Sequence, residues 1–294
     1  MSGWEQLSQY IMSGLTTGSI YALAALGFCL IYNATHIVNC AQGDFISLGG
    51  LMMYTLLGAA GLPAWLAFPL AVAAVAGLGM LLEGLAIRRA RSRDLTVLIF
   101  ITVAASVLLR GVFKQIWGKQ ALAVPPLSPD VPLRLLGATF TPQNLWIFGI
   151  TLAVIAALIY FFNHTLTGRA MRAVAINPRA AALMGIDTRR MVSLSFALAG
   201  ALGALAGVII TPITTASYNV GVLMGLKGFA AAVLGGYGNF LGAIVGGLSL
   251  GLLESLGAGA LSSTYKDVIA FVVLLLVLFV RPQGLLGRGE EARV

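Results

Sequence analysis

Three carboxylates fall in or beside long apolar runs of this sequence, where ionisable residues are rare. They are Asp44, Glu83 and Glu254. A charge at the centre of a membrane-spanning helix costs about 2.5 to 3.5 kcal/mol on insertion scales, so such residues commonly form pairs or mark a route for solutes. Asp44 lies near the polar Gln42, and Glu83 lies within reach of Arg88. Glu254 has no obvious partner nearby, which makes it the strongest functional candidate of the three.

No pattern of catalytic or metal-binding residues accompanies these acids. The sequence has no GxSxG and no HExxH, and the pair Gly118-Lys119 continues into Gln120, where a Walker A motif needs Ser or Thr. The two cysteines, Cys29 and Cys40, lack a CxxC spacing, so we expect neither a disulfide nor a metal site. We therefore expect a protein that is not an enzyme and that has no cofactor of its own.

Apolar helices must position these residues. Of the 294 residues, 59% are hydrophobic and 10% are charged, and the mean hydropathy is +0.95. A helix needs about 20 mostly apolar residues to cross the hydrocarbon core, and such runs recur from near Ile11 to Val280. Long continuous runs also disfavour a β-barrel, whose strands would alternate. We predict an all-α, polytopic membrane protein that forms a single transmembrane domain over residues 1–294.

The basic residues predict the topology of the chain. The net charge of +8 is concentrated at the ends of apolar runs, without the interleaved aromatic residues that would favour nucleic-acid binding. The positive-inside rule places three arginine-rich segments in the cytoplasm, namely 88–93, 164–190 and the tail 281–294. The proline-rich loop 114–142 then lies outside, as does the amino terminus. Four basic residues in or near this loop conflict with the rule: Arg110, Lys114, Lys119 and Arg134.

Two weaker segments, 33–50 and 219–236, carry polar or glycine residues within apolar sequence. An even number of crossings must separate the loop 164–190 from the cytoplasmic tail, so 219–236 must join the three clear apolar runs between them. We predict that both weak segments cross as interrupted helices shielded by their neighbours or by a water-filled path. Gly225, Lys227 and Gly228 would interrupt the second. About nine crossings result, or eight if one weak segment is re-entrant.

The weak segments also share a short pattern. SLGG at 47–50 and VLGG at 233–236 each precede an apolar run, which ends in LLEG at 81–84 or in LLES at 252–255. The two copies would run in opposite directions, and broken helices at matching positions of inverted repeats mark midplane pathways in transporters. A chance match in a sequence rich in leucine and glycine is the alternative.

The loop 164–190 carries helix signals of its own. Asn177 can cap a helix that begins at Pro178, the alanines that follow favour helix, and Gly185 can end it. We predict a short, rigid helix from Pro178 to Met184 that a soluble partner could bind. A basic helix lying on anionic lipid is the alternative.

Four stretches form a more specific combination. In chain order they read GLTTGSIYALAALGFCLIYNATHIVNCAQGDFISLGG, GRAMRAVAINPRAAALMGID, GLKGFAAAVLGGYGNFLGAIVGGLSLGLLES and VRPQGLLG. Together they resemble the permease subunits of branched-chain amino acid ABC importers, over nearly the whole chain and with the length of the shorter of the two permease types. The resemblance implies a multi-pass protein of the bacterial inner membrane that passes apolar amino acids.

The resemblance also implies partners and a coupling element. A second homologous permease, two cytoplasmic ATPase subunits and a periplasmic amino-acid-binding protein would complete such an importer, and ATP would bind only to the ATPases. The segment 168–187 would couple the permease to an ATPase. Its expected residues are Gly168, Arg169, Arg172, Asn177, Pro178, Ala181, Ala182 and Gly185.

The interrupted segments lead us to predict a translocation path that opens by alternating access. Its expected residues are Asn33, Asn39, Gln42, Gly43 and Asp44 in one half, and Gly235, Gly236 and Glu254 in the other. Three other functions stay open. They are a related permease for urea, short amides or other amino acids; a proton-coupled transporter that uses Glu254 or Asp44 as its carrier; and, with least support, an intramembrane enzyme.

Overall fold

A computed structural model describes residues 3–92, 94–129, 131–135, 138–260 and 266–287. The predictions made for Arg93 and for 288–294 of the tail lie outside these residues. The helices are α1 (Gly3–Thr35), α2 (Gln42–Tyr54), α3 (Ala64–Leu82), α4 (Leu95–Trp117), α5 (Pro142–His164), α6 (Leu166–Ile176), α7 (Pro178–Leu183), α8 (Thr188–Thr214), α9 (Val220–Gly235), α10 (Phe240–Ala260) and α11 (Lys266–Val280). π-Helical turns at Thr55–Ala59 and Glu83–Ile87 extend α2 and α3.

Six helices in the described part of the chain are long and apolar enough to cross a membrane. They are α1, α3 with its π-helical turn, α4, α5, α8 and α10. Helix α9 is apolar but has only 16 residues, and α2 and α11 have 13 and 15. The prediction of a polytopic helical membrane protein is confirmed, whereas the number of crossings stays a prediction.

The first helix forms the centre of the bundle and packs closely against α10. A methyl group added at Gly18 of α1 would lie 2.9 Å from the Cα of Leu248, and one added at Gly14 would lie 2.9 Å from the Cα of Leu252. Small residues spaced four apart let membrane helices approach closely and gain dispersion contacts. The α1–α10 contact therefore depends on these glycines having no side chain.

The predicted interruption in 33–50 is present. Helix α1 ends at Thr35, His36 has a positive φ of 56°, and α2 begins at Gln42. The side chain of Gln42 packs against the backbone of Gly27, roughly eight residues or about 12 Å before the end of α1, given a rise of 1.5 Å per residue. The amino-terminal end of α2 therefore lies inside the bundle.

The predicted interruption near Gly225 and Lys227 is wrong, because α9 is continuous through both residues. A methyl group at Gly225 would lie 2.6 Å from the Cα of Gly43, so this glycine allows α9 and α2 to touch. Lys227 is paired with Glu254 inside the bundle and does not need to break the helix. The chain instead turns after α9, where Gly236 has a φ of 105°.

Segments predicted to share one side of the membrane meet at one end of the bundle. Gln9, near the amino terminus, exchanges two hydrogen bonds of 2.9 Å with the backbone of Thr139. Thr139 belongs to the antiparallel hairpin Leu133–Leu135/Ala138–Phe140. In the same loop, Leu122 pairs with Ala216, which lies between α8 and α9.

The loop 114–142 begins later than predicted, because α4 continues to Trp117. Trp117 Nε1 donates a 2.7 Å hydrogen bond to Thr55 Oγ1, which holds the last turn of α4 against the end of α2. The SLGG segment lies within α2, whereas VLGG runs across the end of α9. The inverted repeat stays a prediction.

Candidate functional site

The loop 164–190 folds into α6 and α7, and α6 is fixed to the bundle. Thr165 Oγ1 accepts a 3.0 Å hydrogen bond from the amide of Gly168 and so caps the helix. A methyl group at Gly168 would lie 2.7 Å from the Cα of Phe162, so this glycine makes the sharp turn from α5 possible. The side chains of Met171 and Val174 are buried. Helix α6 is therefore a rigid base for α7.

Helix α7 forms as its local signals predict. Asn177 Oδ1 accepts hydrogen bonds of 3.0 Å from the amides of Arg179 and Ala180. Pro178 is the first residue of the helix, and Gly185 follows its end with a φ of 82°. The helix ends at Leu183, one residue before the predicted end, which is within the usual uncertainty of helix boundaries.

The surface of α7 and its flanks is apolar and exposed. Ile176, Leu183 and Met184 are 83%, 88% and 83% exposed, and Ala182 is exposed beside them. We call these four residues the docking face. Ala181, in contrast, is buried. An apolar patch on a segment otherwise rich in arginine is typical of a surface that binds another protein.

The arginines expected in the coupling element hold its base. Arg172 Nη1 lies 3.3 Å from Asn163 Oδ1, and Arg169 Nε lies 3.4 Å from the carbonyl oxygen of Asn163, so both donate to the end of α5. Arg190 forms a 3.0 Å ion pair with Asp187, the residue that caps α8. These contacts stiffen the connections on either side of α7.

A cavity of about 390 Å³ lies where the start of α2 meets α1, α4 and α9. Two of the predicted path residues, Gly43 and Asp44, line it. Its apolar wall includes Phe28, Val103, Leu226 and Phe229, and its polar residues include Cys40, Ser106 and Arg110. The amide of Cys40 donates a 3.2 Å hydrogen bond to Thr102 Oγ1, which fixes the break between α1 and α2 against α4.

Asp44 and Arg110 provide opposite charges in this cavity. Asp44 is 2% exposed, and Arg110 Nε lies 3.5 Å from its Oδ1 atom. Arg110 also donates to the hydroxyl and the carbonyl oxygen of Ser106, at 3.2 and 3.3 Å. Within the described residues, neither Asp44 oxygen has a hydrogen-bond partner. Buried carboxylates are usually hydrogen-bonded, so Asp44 is an exception.

Asn39 and Gln42 lie beside the cavity without lining it. The Oδ1 atom of Asn39 accepts a 3.2 Å hydrogen bond from the amide of Ala41 and supports the break. Gln42 Nε2 donates a 2.9 Å hydrogen bond to the carbonyl oxygen of Ala199 in α8. These two side chains hold the start of α2, and Gln42 ties it to α8.

Asn33, Gly235 and Gly236 lie at one end of the bundle, apart from the cavity lining. Asn33 Nδ2 donates a 2.8 Å hydrogen bond to the carbonyl oxygen of Gly238, in the turn between α9 and α10. The carbonyl oxygen of Gly235 accepts a 3.0 Å hydrogen bond from Leu286. The three predicted residues thus join this turn to α1 and to the chain after α11.

Glu254 has no obvious partner near it in the sequence, but it has partners on other helices. Its side chain is fully buried, Lys227 Nζ lies 2.8 Å from its Oε1 atom, and the hydroxyl of Tyr21 donates to its Oε2 atom at 2.9 Å. Lys227 also lies 2.5 Å from Asp267 Oδ1, and Lys266 lies 3.4 Å from Glu254. This ionic network links α1, α9, α10 and α11, and Glu254 does not line the cavity.

Glu83 turns inward rather than towards Arg88. Its side chain is buried, and its Oε2 atom accepts a hydrogen bond from the hydroxyl of Ser193 in α8. The contact joins the end of α3 to the start of α8, which is a structural role.

Comparison with known proteins identifies the family. Residues 10–278 match the family described as the branched-chain amino acid transport system permease component. The chain belongs to this permease family. It is 32% identical to the high-affinity branched-chain amino acid transport system permease protein LivH of Escherichia coli (strain K12), over 97% of both chains. It has the same identity and coverage with the corresponding permease protein BraD of Pseudomonas aeruginosa.

A solved structure has a similar fold. The permease superposes with a TM-score of 0.51 on a chain of PsaBC from Streptococcus pneumoniae in complex with Fab, over 93% of this chain and 92% of the other. The two sequences are 15% identical, so this likeness concerns the fold alone. The helical bundle of this chain therefore resembles one that is already known from a solved structure.

Two ion pairs of the permease are not evident from the sequence. Arg110 stands near a predicted external loop, and its partner Asp44 lies on another helix. Lys227 is paired rather than helix-breaking, as a lysine within an apolar run calls for a buried acid as its partner. Lysine at 227 and glutamate at 254 in consecutive apolar segments were the signal that could have revealed this pair.

Proposed function

We propose that this permease is the membrane subunit of an ATP-driven importer of branched-chain amino acids, with ATP bound and hydrolysed on separate subunits. The docking face carries this proposal, because it is an exposed apolar surface on a short capped helix whose base is buried in the bundle. The family and its relatives support the substrate class. The proposed partners are a second homologous permease, two cytoplasmic ATPases and a periplasmic amino-acid-binding protein.

Contacts between helices provide a route by which motion would pass from an ATPase to the cavity. A push on α7 reaches α8 through the few residues between them, where Asp187 caps α8. Helix α8 carries Ala199, whose carbonyl oxygen binds Gln42 at the start of α2. The start of α2 carries Gly43 and Asp44 in the cavity wall. Helices move as rigid elements, so displacement of α8 would reshape the cavity.

The same proposal fixes the orientation of the chain in a bacterial inner membrane. The end of the bundle that carries α6, α7 and the residues after α11 would be cytoplasmic. The end that carries Gln9 and Thr139 would face the periplasm, so the amino terminus would be outside. Nine apolar helices of the described chain would then cross the bilayer, with α2 starting inside the bundle.

The proton-coupled alternative receives no support from Glu254. Its carboxylate is held by Lys227 and Tyr21, away from the cavity lining. A carrier must exchange its proton and reach both sides of the membrane, and a residue within such a network is poorly placed to do so. Asp44 lies in the cavity, but its neighbour Arg110 favours a substrate with two charges.

A charge placed in the docking face tests the proposal. Ala182→Glu should lower ATP-driven leucine uptake at least 10-fold in proteoliposomes that contain the permease and its partners, and should reduce recovery of the ATPase with the permease. Arg89→Gln makes the same change in charge on the exposed loop between α3 and α4 and should leave both unchanged. Normal uptake and normal ATPase recovery with Ala182→Glu would contradict the docking assignment.

A further inference from the structure

We propose that the cavity between α1, α2, α4 and α9 holds the transported amino acid, with Asp44 binding its ammonium group and Arg110 its carboxylate. The inference rests on the proposed function and adds a substrate site within the permease itself. Three observations carry it: an unsatisfied buried acid, a neighbouring arginine with free donors, and an apolar wall.

The described residues balance the charge of Asp44 only in part. Its side chain is 2% exposed, and its ion pair with Arg110 is long, at 3.5 Å. Neither of its oxygens has a hydrogen-bond partner in the described part of the chain. A buried carboxylate that accepts no hydrogen bond is strongly unfavourable, and an ammonium group with three N–H donors would satisfy it. Asp44 also lies in the first turn of α2, where the backbone amides of the helix end carry partial positive charge.

Arg110 is positioned to bind an anion. Its Nε and Nη2 atoms donate to Ser106, which fixes the guanidinium in the cavity wall. A guanidinium carries five N–H donors, so about three remain for another acceptor. Its planar geometry matches a carboxylate, which makes arginine suited to bind the acid group of an amino acid.

The rest of the cavity suits an apolar side chain. Phe28, Val103, Leu226 and Phe229 line it, and its volume of about 390 Å³ falls within the range of about 300 to 1,000 Å³ that is common for small-molecule sites. One acid and one base beside an apolar wall match a zwitterion with a hydrocarbon side chain. A neutral polar solute such as urea would supply a counter-ion to neither charge.

A natural reporter lies in this cavity. Cys40 lines the cavity and is exposed, whereas Cys29, the other cysteine of the chain, is buried. The rate at which a maleimide modifies Cys40 therefore reports whether the cavity is occupied. The variant Cys40→Ala gives the background rate of modification at Cys29.

The experiment measures Cys40 modification in the assembled importer in proteoliposomes, at matched high concentrations of three solutes. Leucine should slow modification at least 5-fold. 4-Methylpentanoate, which lacks the ammonium group, and leucinamide, which lacks the carboxylate, should slow it less than 2-fold. Asp44→Asn and Arg110→Gln should each abolish the protection by leucine. Glu83→Gln, a buried acid outside the cavity lining, should retain it.

Equal protection by all three solutes, or none by leucine, would overturn the assignment. The comparison of the three solutes uses the chain without substitutions. It therefore tests the substrate site even if Asp44→Asn fails to assemble. Modification that is already slow in lipid alone, and that leucine does not slow further, would show that an acyl chain fills the cavity and would also overturn it. ATP-driven uptake in the same vesicles separates the two proposals. Uptake without protection of Cys40 by leucine would refute the substrate site in the cavity but not the proposed function.

Discussion

Lys227 Nζ and Glu254 Oε1 lie 2.8 Å apart in the interior of the bundle, where the lysine is 3% exposed and the glutamate fully buried. The pair joins α9 to α10, and Tyr21 and Asp267 extend it to α1 and α11. Helices in a membrane gain little from the hydrophobic effect when they associate, so specific polar contacts of this kind decide which helices pack together.

Removing one partner of this pair should destabilise the permease. Lys227→Met leaves the buried Glu254 with only the partly exposed Lys266, at 3.4 Å, as a cation. It should cost about 3 kcal/mol of folding free energy, because most of the compensation of a buried charge is lost. The double variant Lys227→Met with Glu254→Leu should recover most of that loss. Thermal unfolding of the purified permease measures both. A double variant as unstable as the single one would show that the pair does not stabilise the fold in this way.

The glycine contact between α1 and α10 predicts a steric effect. Gly18→Val should destabilise the fold by about 1 to 3 kcal/mol, as overpacking does, because its Cβ would lie 2.9 Å from the Cα of Leu248. Gly77→Ala in α3, where a methyl group meets no atom within 4 Å, should be tolerated. Thermal unfolding again gives the comparison. Equal melting temperatures for the two variants would exclude close packing at Gly18.

The cap of α7 should matter for transport more than for stability. Asn177→Ala removes an acceptor for two amides and should cost about 1 kcal/mol locally, which loosens the element that transmits motion. Leucine taken up per ATP hydrolysed should fall several-fold. Asn177→Ser, which can still cap the helix, should restore most of it. If the alanine and serine variants transported equally well, capping would not contribute to coupling.

Two buried glutamines offer a matched test of the link between α8 and the cavity. Gln42 and Gln143 each donate a 2.9 Å hydrogen bond to a carbonyl oxygen of α8, at Ala199 and Ile209. Only Gln42 holds the start of α2, so Gln42→Leu should lower uptake while ATP hydrolysis by the assembled importer continues. Gln143→Leu should affect stability but not the ratio of uptake to hydrolysis. Similar ratios in both variants would refute the proposed route.

Elements whose structure depends on residues adjacent in the chain could be predicted from local signals in the sequence. Asn177, Pro178 and Gly185 defined α7 to within one residue, because caps and turns are set by a few adjacent side chains. The break after α1 was also predictable, since His36 to Gln42 interrupt two apolar runs with polar residues. Hydropathy was sufficient for the class of the fold.

Contacts between distant helices could not be predicted in the same way. Asp44 and Arg110 form a pair across two helices, and the sequence gives no spacing rule for such a contact. Gly225 resembles a helix breaker in the sequence, because its close contact with Gly43 exists only in the folded bundle. The predicted path therefore combined two residues of the cavity with others that hold the bundle together.

Leucine uptake into proteoliposomes tests whether this permease works only as part of an ATP-driven importer. The permease with its ATPases, second permease and binding protein would be compared with the permease alone, each energised either by ATP or by a proton gradient. We expect labelled leucine to accumulate only in the complete assembly supplied with ATP. Accumulation by the permease alone on a proton gradient would contradict this expectation.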